Sequence, residues 1–292
     1  MEIWKGEALG NDYLVVERAA LPWPLTPGRC AAICDRHTGI GSDGILIAET
    51  ASRGFALQIL NLDGSEAEKS GNGLRIFAAW LHGRGLVRND WFTVRLVKDS
   101  VRMRVEGERA DGALDVRVVM GTASFNGSDV GFHADGVRPG DEVLGRPLAL
   151  PGGATAVINT VSLANPHCVV LVDTLDRADF LARAPLLCTH DAFAAGTNVQ
   201  FAAVRPPDAV EILIWERGVG ETLASGSSAC AAAAVAVRRG LLRPGRIDVR
   251  MPGGSAEVDV TDSYAIRLRG PARIVFRAEL TQEIVAGFGR IV

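Results

Sequence analysis

The feature that most constrains this chain occurs twice. In the first half an apolar run, FALQILN (55–61), leads through a polar, glycine-containing loop to Ser70-Gly71 and the helical pattern GNGLRIFAAWL. In the second half AVEILIWE (209–216) leads through a similar loop to Ser225-Gly226 and the alanine-rich GSSACAAAAVAV. Asn61 stands nine residues before Ser70, and Glu216 stands nine residues before Ser225. The order strand, loop, Ser-Gly, helix therefore recurs once per half. A period this long predicts two like-folded domains rather than a solenoid.

The remaining pattern is mixed. YLVVE (13–17), GILIAE (44–49), WFTVRLV (91–97), VRMRVEG (101–107) and LDVRVVM (114–120) read as strands, and VRMRVEG alternates with period two. Helices are expected over 27–36 and 71–82, the second with Leu74, Phe77, Ala78 and Leu81 on one face. A stretch rich in Gly, Asp and Pro (121–150) places a domain junction near its start. Beyond it, TAVINTVSL (155–163) and HCVVLVD (167–173) read as strands, and RADFLARAPLL (177–187) and NVQFAAV (198–204) as helical. AVEILIWE, a helix over 226–239, and the strands RIDVRM, AEVDV, YAIRLRG and ARIVFRAEL complete the chain. A length of 292 residues, 48% of them hydrophobic, suits one large domain or two smaller ones.

Charge and composition exclude several classes. The net charge of −3 is spread along the chain, with no basic patch of the kind a nucleic-acid partner requires. Lys5, Lys69 and Lys98 are the three lysines, and none lies in a cofactor motif, which argues against Schiff-base chemistry. Cys30, Cys34, Cys168, Cys188 and Cys230 form neither a Cys-x-x-Cys pair nor a zinc pattern, and five scattered histidines suggest no metal site. No apolar run reaches the roughly 18–20 residues of a membrane span. The N-terminal MEIWKGEALGNDYLVVE lacks the layout of a signal peptide. The expectation is a cytoplasmic protein acting on a small molecule, with no nucleic-acid or membrane partner.

GIGSDG (39–44) matches the dinucleotide fingerprint in spelling only. It follows a helical segment and opens a strand, the reverse of the required order, so it reads as a turn. NPH (165–167) and GTN (196–198) lie at element edges, where Asn, Pro and Gly are turn residues. Their asparagines can also offer both a donor and an acceptor to a zwitterion. Glu216 and Arg217 follow an apolar strand, where they form either an exposed turn or a grip for ammonium and carboxylate groups. Serine before a helix is far more often a cap than a catalyst. Here a glycine follows each serine, which lets a ligand approach the backbone. Each helix start is also a ready site for an anion.

Seven blocks carry a resemblance along nearly the whole chain: KGEALGNDYLVVE, CDRHTGIGSDGILIAE, NLDGSEAEKSGNGLRIFAAWL, ANPHCVVLVD, GTNVQFAAV, WERGVGETLASGSSACAAAAVA and RGPARIVFRAEL. In content and order they resemble the diaminopimelate epimerase family of cofactor-independent racemases. The resemblance implies an α+β fold of two pseudo-symmetric mixed α/β domains, each a curved sheet around a central helix. It implies an N-terminal domain over 1–120, completed by the C-terminal strand 274–292, a second domain over 121–273, and an active site in the cleft between them. It implies no cofactor and no metal, and leaves a homodimer open. Asn11, Asn61, Asn165, Asn198, Glu216 and Arg217 match its substrate-binding positions. The backbone of Gly71–Asn72 and Gly226–Ser227 matches its carboxylate cradle. His167 and Glu216 match groups beside the catalytic pair. Gly44 stands where the family often has a larger polar residue.

The family's catalytic cysteine precedes the glycine in each half; this chain has Ser70 and Ser225. A thiol ionises near pH 8.5, whereas an aliphatic hydroxyl is a far weaker acid. Each unit of mismatch costs about 1.36 kcal/mol in forming the base. Two-base inversion at the α-carbon of diaminopimelate or a related amino acid, with Ser70 and Ser225 assisted by His167 and Glu216, is the leading expectation. A different isomerase or lyase on the same scaffold, and a non-catalytic amino-acid-binding protein, are the alternatives.

Overall fold

The computed structural model describes residues 1–51, 54–67 and 69–291. Its contacts divide the chain into two units, Met1–Val119 with Arg269–Val292, and Met120–Leu268. The first unit contains β1 (Glu2–Ala8), β2 (Asn11–Glu17), α1 (Pro27–Cys34), β3 (Gly44–Ala51), β4 (Gly54–Asn61), β5 (Glu66–Ala67), α2 (Gly71–Gly83), β6 (Phe92–Arg95), β7 (Ser100–Glu108) and most of β8 (Leu114–Thr122). The second contains β9 (Leu144–Ala149), β10 (Thr155–Ser162), β11 (Pro166–Leu171), α3 (Arg177–Cys188), β12 (Asn198–Arg205), β13 (Ala209–Glu216), β14 (Gly220–Thr222), α4 (Gly226–Arg238), β15 (Gly245–Met251) and β16 (Gly254–Val260). Strand β17 (Ala265–Glu279) then returns to the first unit, pairs antiparallel with β1, and is followed by α5 (Gln282–Gly289).

The same topology is built twice. In the first unit β1 and β2 pair antiparallel, α1 crosses over to the parallel β3, β4 returns antiparallel, and α2 crosses over to the parallel β6. In the second, β10 and β11 pair antiparallel, α3 crosses over to the parallel β12, β13 returns antiparallel, and α4 crosses over to the parallel β15. Each Ser-Gly pair thus opens the second crossover helix of its unit.

Both helices are central. Every residue of α2 from Gly71 to Leu81 is buried, and the helix packs against β1, β2, β3 and β7. In α4 only Ser227 and Arg238 escape full burial, and the helix packs against β10 through β13, β15 and β16. A helix apolar on all sides has to be enclosed, and alanine lets strands approach it closely. Beside Leu74, Phe77, Trp80 and Leu81, α2 carries one fully buried ion, Arg75.

Several sequence expectations need correction. NVQFAAV is strand β12, not helix. It lies between β11 and β13 with its first six residues buried; Asn198 and Gln200 alternate with Val199 and Phe201, but Ala202, Ala203 and Val204 end the period-two pattern. Helix α1 stops at Cys34 because Asp35 Oδ1 takes the amides of His37 and Thr38 in a side-chain turn. YAIRLRG and ARIVFRAEL form one strand, β17, continuous through Gly270-Pro271. The short elements β1, β9, β14 and α5 carried no sequence expectation; α5 buries only Phe288. Among the described residues no helix is long and apolar enough to cross a membrane.

Candidate functional site

Ser70 is the N-cap of α2, in extended conformation at φ −131° and ψ 117°. Its Oγ accepts the Gly73 amide at 3.1 Å, satisfying one of the donors that a helix start leaves without an acceptor inside the helix. The Tyr13 hydroxyl lies 3.5 Å from the same oxygen. One turn into the helix, the Arg75 guanidinium donates to Gly71 O at 3.2 Å, to Asn72 Oδ1 at 2.6 Å and to Pro271 O at 3.2 Å. Arg75 thereby fixes the first peptide of α2 and the side chain of Asn72. Gly73 is needed here: a Cβ would stand 3.3 Å from both Cβ and Oγ of Ser70.

The two asparagines expected beside Ser70 are held by their own neighbours. Asn11 follows the Leu9-Gly10 turn, where both residues have positive φ, and its Nδ2 donates to Asp43 Oδ2 at 2.5 Å. Asp43 is in turn gripped by Arg36, which also pairs with Asp12. With one N–H committed to a carboxylate, Asn11 keeps its carbonyl oxygen available as an acceptor. Asn61 ends β4, and its Nδ2 donates to Ser65 Oγ at 2.9 Å.

Ser225 caps α4 with nearly the same backbone, φ −145° and ψ 123°. Its Oγ accepts the Ser228 amide at 3.5 Å and lies 3.5 Å from Ser227 Oγ. Asn165 Nδ2 donates to Ser227 Oγ at 3.5 Å, and Asn165 Oδ1 meets His167 Nε2 at 3.0 Å. On the far side of the imidazole lies Gln200, whose Nε2 donates to Ser228 Oγ at 2.9 Å. Two polar runs thus meet at the start of α4, His167–Asn165–Ser227–Ser225 and Gln200–Ser228–Ser225.

His167 has no solvent exposure. Burial pushes its pKa down to about 4, Gln200 opposes that, and the charge of Arg217 adds to it. The imidazole is therefore neutral at pH 7. The contact between Nε2 and the Asn165 carbonyl oxygen assigns the proton to Nε2, which orients the Asn165 amide toward Ser227.

Asn198 is 8% exposed, and both ends of its amide are engaged, Nδ2 with Pro166 O at 3.0 Å and Oδ1 with Arg217 N at 3.0 Å. It positions the Arg217 backbone just after Glu216, the last residue of β13. The Arg217 guanidinium donates to Ala195 O at 2.8 Å. Arg217 is exposed and Glu216 half-buried, so both charged heads are within reach of solvent.

Tyr13, Asp43, Arg75, Gln200 and Ser228 were not singled out in the sequence. Arg75 and Ser228 left a signal there, because each stands three residues beyond a candidate, Asn72 or Ser225, on the same helix face. The other three reach their partners through strand pairing or loop packing. Among the described residues no group of three His, Cys, Asp or Glu side chains is placed to hold a metal ion.

Chemically, each unit presents a hydroxyl beside the positive end of a buried helix, with first-turn amides able to receive a carboxylate. Comparison with known proteins agrees with this layout. The family model for diaminopimelate epimerase matches residues 3–126 and 159–275. The chain is 40% identical over 288 residues to diaminopimelate epimerase 2 of Nostoc sp. (strain PCC 7120), covering 98% of each protein. It is 36% identical to the diaminopimelate epimerase of Pelotomaculum thermopropionicum, covering 96% of this chain and 98% of the relative. A probable proline racemase from Agrobacterium radiobacter K84 has the same fold at a TM-score of 0.69 and 14% identity, over 96% of this chain and 93% of that one. With the model matched on most of its length and such relatives matched nearly end to end, this chain belongs to the diaminopimelate epimerase family.

Proposed function

We propose that the chain inverts the configuration at an α-carbon of diaminopimelate, or of a closely related amino acid, without a pyridoxal cofactor. The observation that carries this reading is the repeated N-cap. Ser70 and Ser225 share backbone conformation, acceptor role and the glycine that follows, at the start of equivalent buried helices. The amides of Gly71–Asn72 and of Gly226–Ser227 would receive the reacting carboxylate and stabilise the charge that develops when the neighbouring C–H bond breaks. One serine hydroxyl takes the α-proton and the other returns a proton to the opposite face.

The other candidates have supporting parts. Glu216 and the Asn11 carbonyl oxygen suit ammonium groups, and Arg217 and the amide of Asn61 suit the carboxylate of the distal end. Asn165 and the neutral His167 orient Ser227 and through it Ser225. Asn198 sets the Arg217 backbone. All five cysteines are free and buried, which favours the reducing cytoplasm, and a homodimer is the assembly we would look for by light scattering.

The test is incubation of the purified protein with each stereoisomer of diaminopimelate in D2O. The expected result is deuterium at the α-carbon together with the inverted isomer. Absence of exchange with every stereoisomer and with related amino acids overturns the reading.

A further inference from the structure

The puzzle of the site is how a serine hydroxyl removes an unactivated α-proton. Three residues of the first unit bear on it. Tyr13 on β2 stands directly opposite Gly44 on the parallel β3. A Cβ at Gly44 would lie 2.8 Å from Tyr13 Cε1 and 2.3 Å from the Leu60 carbonyl oxygen. Position 44 is therefore confined to glycine by the Leu60 backbone, and the same lack of a side chain leaves space for the tyrosine ring. The ring is 6% exposed, and its hydroxyl is 3.5 Å from Ser70 Oγ. That separation is the outer limit of a hydrogen bond, and such contacts tighten when substrate closes the site. Ser70 Oγ thus has the Gly73 amide on one side and a phenol on another.

We propose that Tyr13 is the proton-accepting partner of Ser70. The inference rests on the acid/base role of Ser70 proposed above. A phenol ionises near pH 10, whereas an aliphatic hydroxyl ionises close to water's value of about 15.7. Taking the proton through to a phenolate therefore makes the base available at a pH roughly five to six units lower than an isolated serine would need. In the forward step the C–H bond at the α-carbon breaks and its proton goes to Ser70 Oγ. As it does so, the Ser70 O–H bond breaks and that proton goes to the Tyr13 phenolate. The electron pair stays on the α-carbon and its carboxylate. The starting pair, phenolate and hydroxyl, becomes phenol and hydroxyl. In the reverse direction the Tyr13 phenol returns its proton through Ser70 to the carbanion.

The experiment is a double-mutant cycle. Tyr13→Phe should lower kcat by a hundredfold or more, with KM within about threefold, because the phenol acts on the proton and not on ligand binding. With Ser70→Cys, whose thiol ionises without help, the Tyr13→Phe penalty should shrink at least tenfold. A penalty of the same size in both backgrounds, or none with serine at 70, overturns the proposal. A second readout does not depend on turnover. The chain has two tyrosines, so Tyr264→Phe leaves Tyr13 as the one group that gives a tyrosinate signal. In that background Ser70→Ala should move the tyrosinate titration, followed by ultraviolet difference absorbance, by at least about half a unit. An unmoved titration overturns the Tyr13–Ser70 link. If the native protein shows no α-exchange but the titration moves, the reaction assignment fails while the Tyr13–Ser70 contact stands.

Discussion

Around Ser70 the nearest polar groups are a phenol, a backbone amide and, one turn into the helix, a buried guanidinium. Around Ser225 they are two further serines, an asparagine and, behind it, a neutral histidine in complete burial. The cap geometry is nearly identical, so the backbone of the two units has been kept alike while the chemistry beside each hydroxyl differs. The phenolate form of a tyrosine can take up a proton and hold it. A set of hydroxyls, amides and one neutral imidazole cannot hold a charge cheaply and serves mainly to orient. In the reaction proposed above, this difference would make Ser70 the more basic partner and Ser225 the donor. The helices differ in the same sense. Arg75 places a fixed positive charge inside α2, whereas the equivalent position in α4 is the uncharged Cys230, among serine and alanine.

The largest effect that would break this comparison comes from removing the hydroxyls one at a time. Ser70→Ala and Ser225→Ala should each lower net inversion about a thousandfold or more. Each variant should still exchange the α-proton of the stereoisomer whose C–H faces the remaining serine, read by deuterium incorporation isomer by isomer. Two variants with the same isomer preference would mean that the serines do not work on opposite faces.

A smaller effect concerns stability and sharpens the second half of the comparison. In the unfolded chain a histidine binds its proton near pH 6.5, whereas folded His167 does so only near 4. As pH falls through that window the unfolded state gains a proton that the folded state refuses, so stability declines and then levels off below about pH 4. The loss amounts to about 3 kcal/mol. Denaturant midpoints measured between pH 7 and 4 should show this slope in the native chain and lose it in His167→Gln. An unchanged slope would mean that His167 is protonated in the folded protein.

The smallest effect tests the caps. Gly73→Ala brings a methyl to 3.3 Å from Ser70 Oγ and 3.2 Å from Leu46 Cδ2. It should cost about 1 kcal/mol by thermal unfolding, because the gain in helix propensity offsets part of the crowding. It should also lower kcat without a matching change in KM. An unaffected kcat would show that the Ser70 rotamer is not held by the space at Gly73.

Much of the architecture was legible before any coordinates. The repeated Ser-Gly helix starts stand out because capping is local: a serine, the amide three residues on and a run of small apolar residues are all written within one turn of chain. The four crossover helices, most of the strands and the family blocks follow from such short-range patterns. NVQFAAV could not be read this way, because its alternation lasts four residues before Ala-Ala-Val ends it, and its polar residues are buried. Nor could the end of α1, which depends on one aspartate side chain turning back on the amides after it.

At the site the division is sharper. Ser70, Ser225, Glu216, Arg217, Asn165 and Asn198 could be named as candidates from motif and spacing, whereas Asn11 and Asn61 came from the family resemblance. That Tyr13 meets Ser70 across 57 residues could not be read that way, nor that Gly44 lies against the Tyr13 ring. The sequence also could not tell that Asn11 is committed to Asp43, or that His167 is wholly buried and neutral. By itself the sequence determined the order of elements, their repetition and the two hydroxyls at equivalent helix starts, because backbone conformation and capping depend on neighbours in the chain. Only the tertiary structure decided what each hydroxyl can do, because proton affinity depends on burial and on partners that strand pairing brings together from far along the chain.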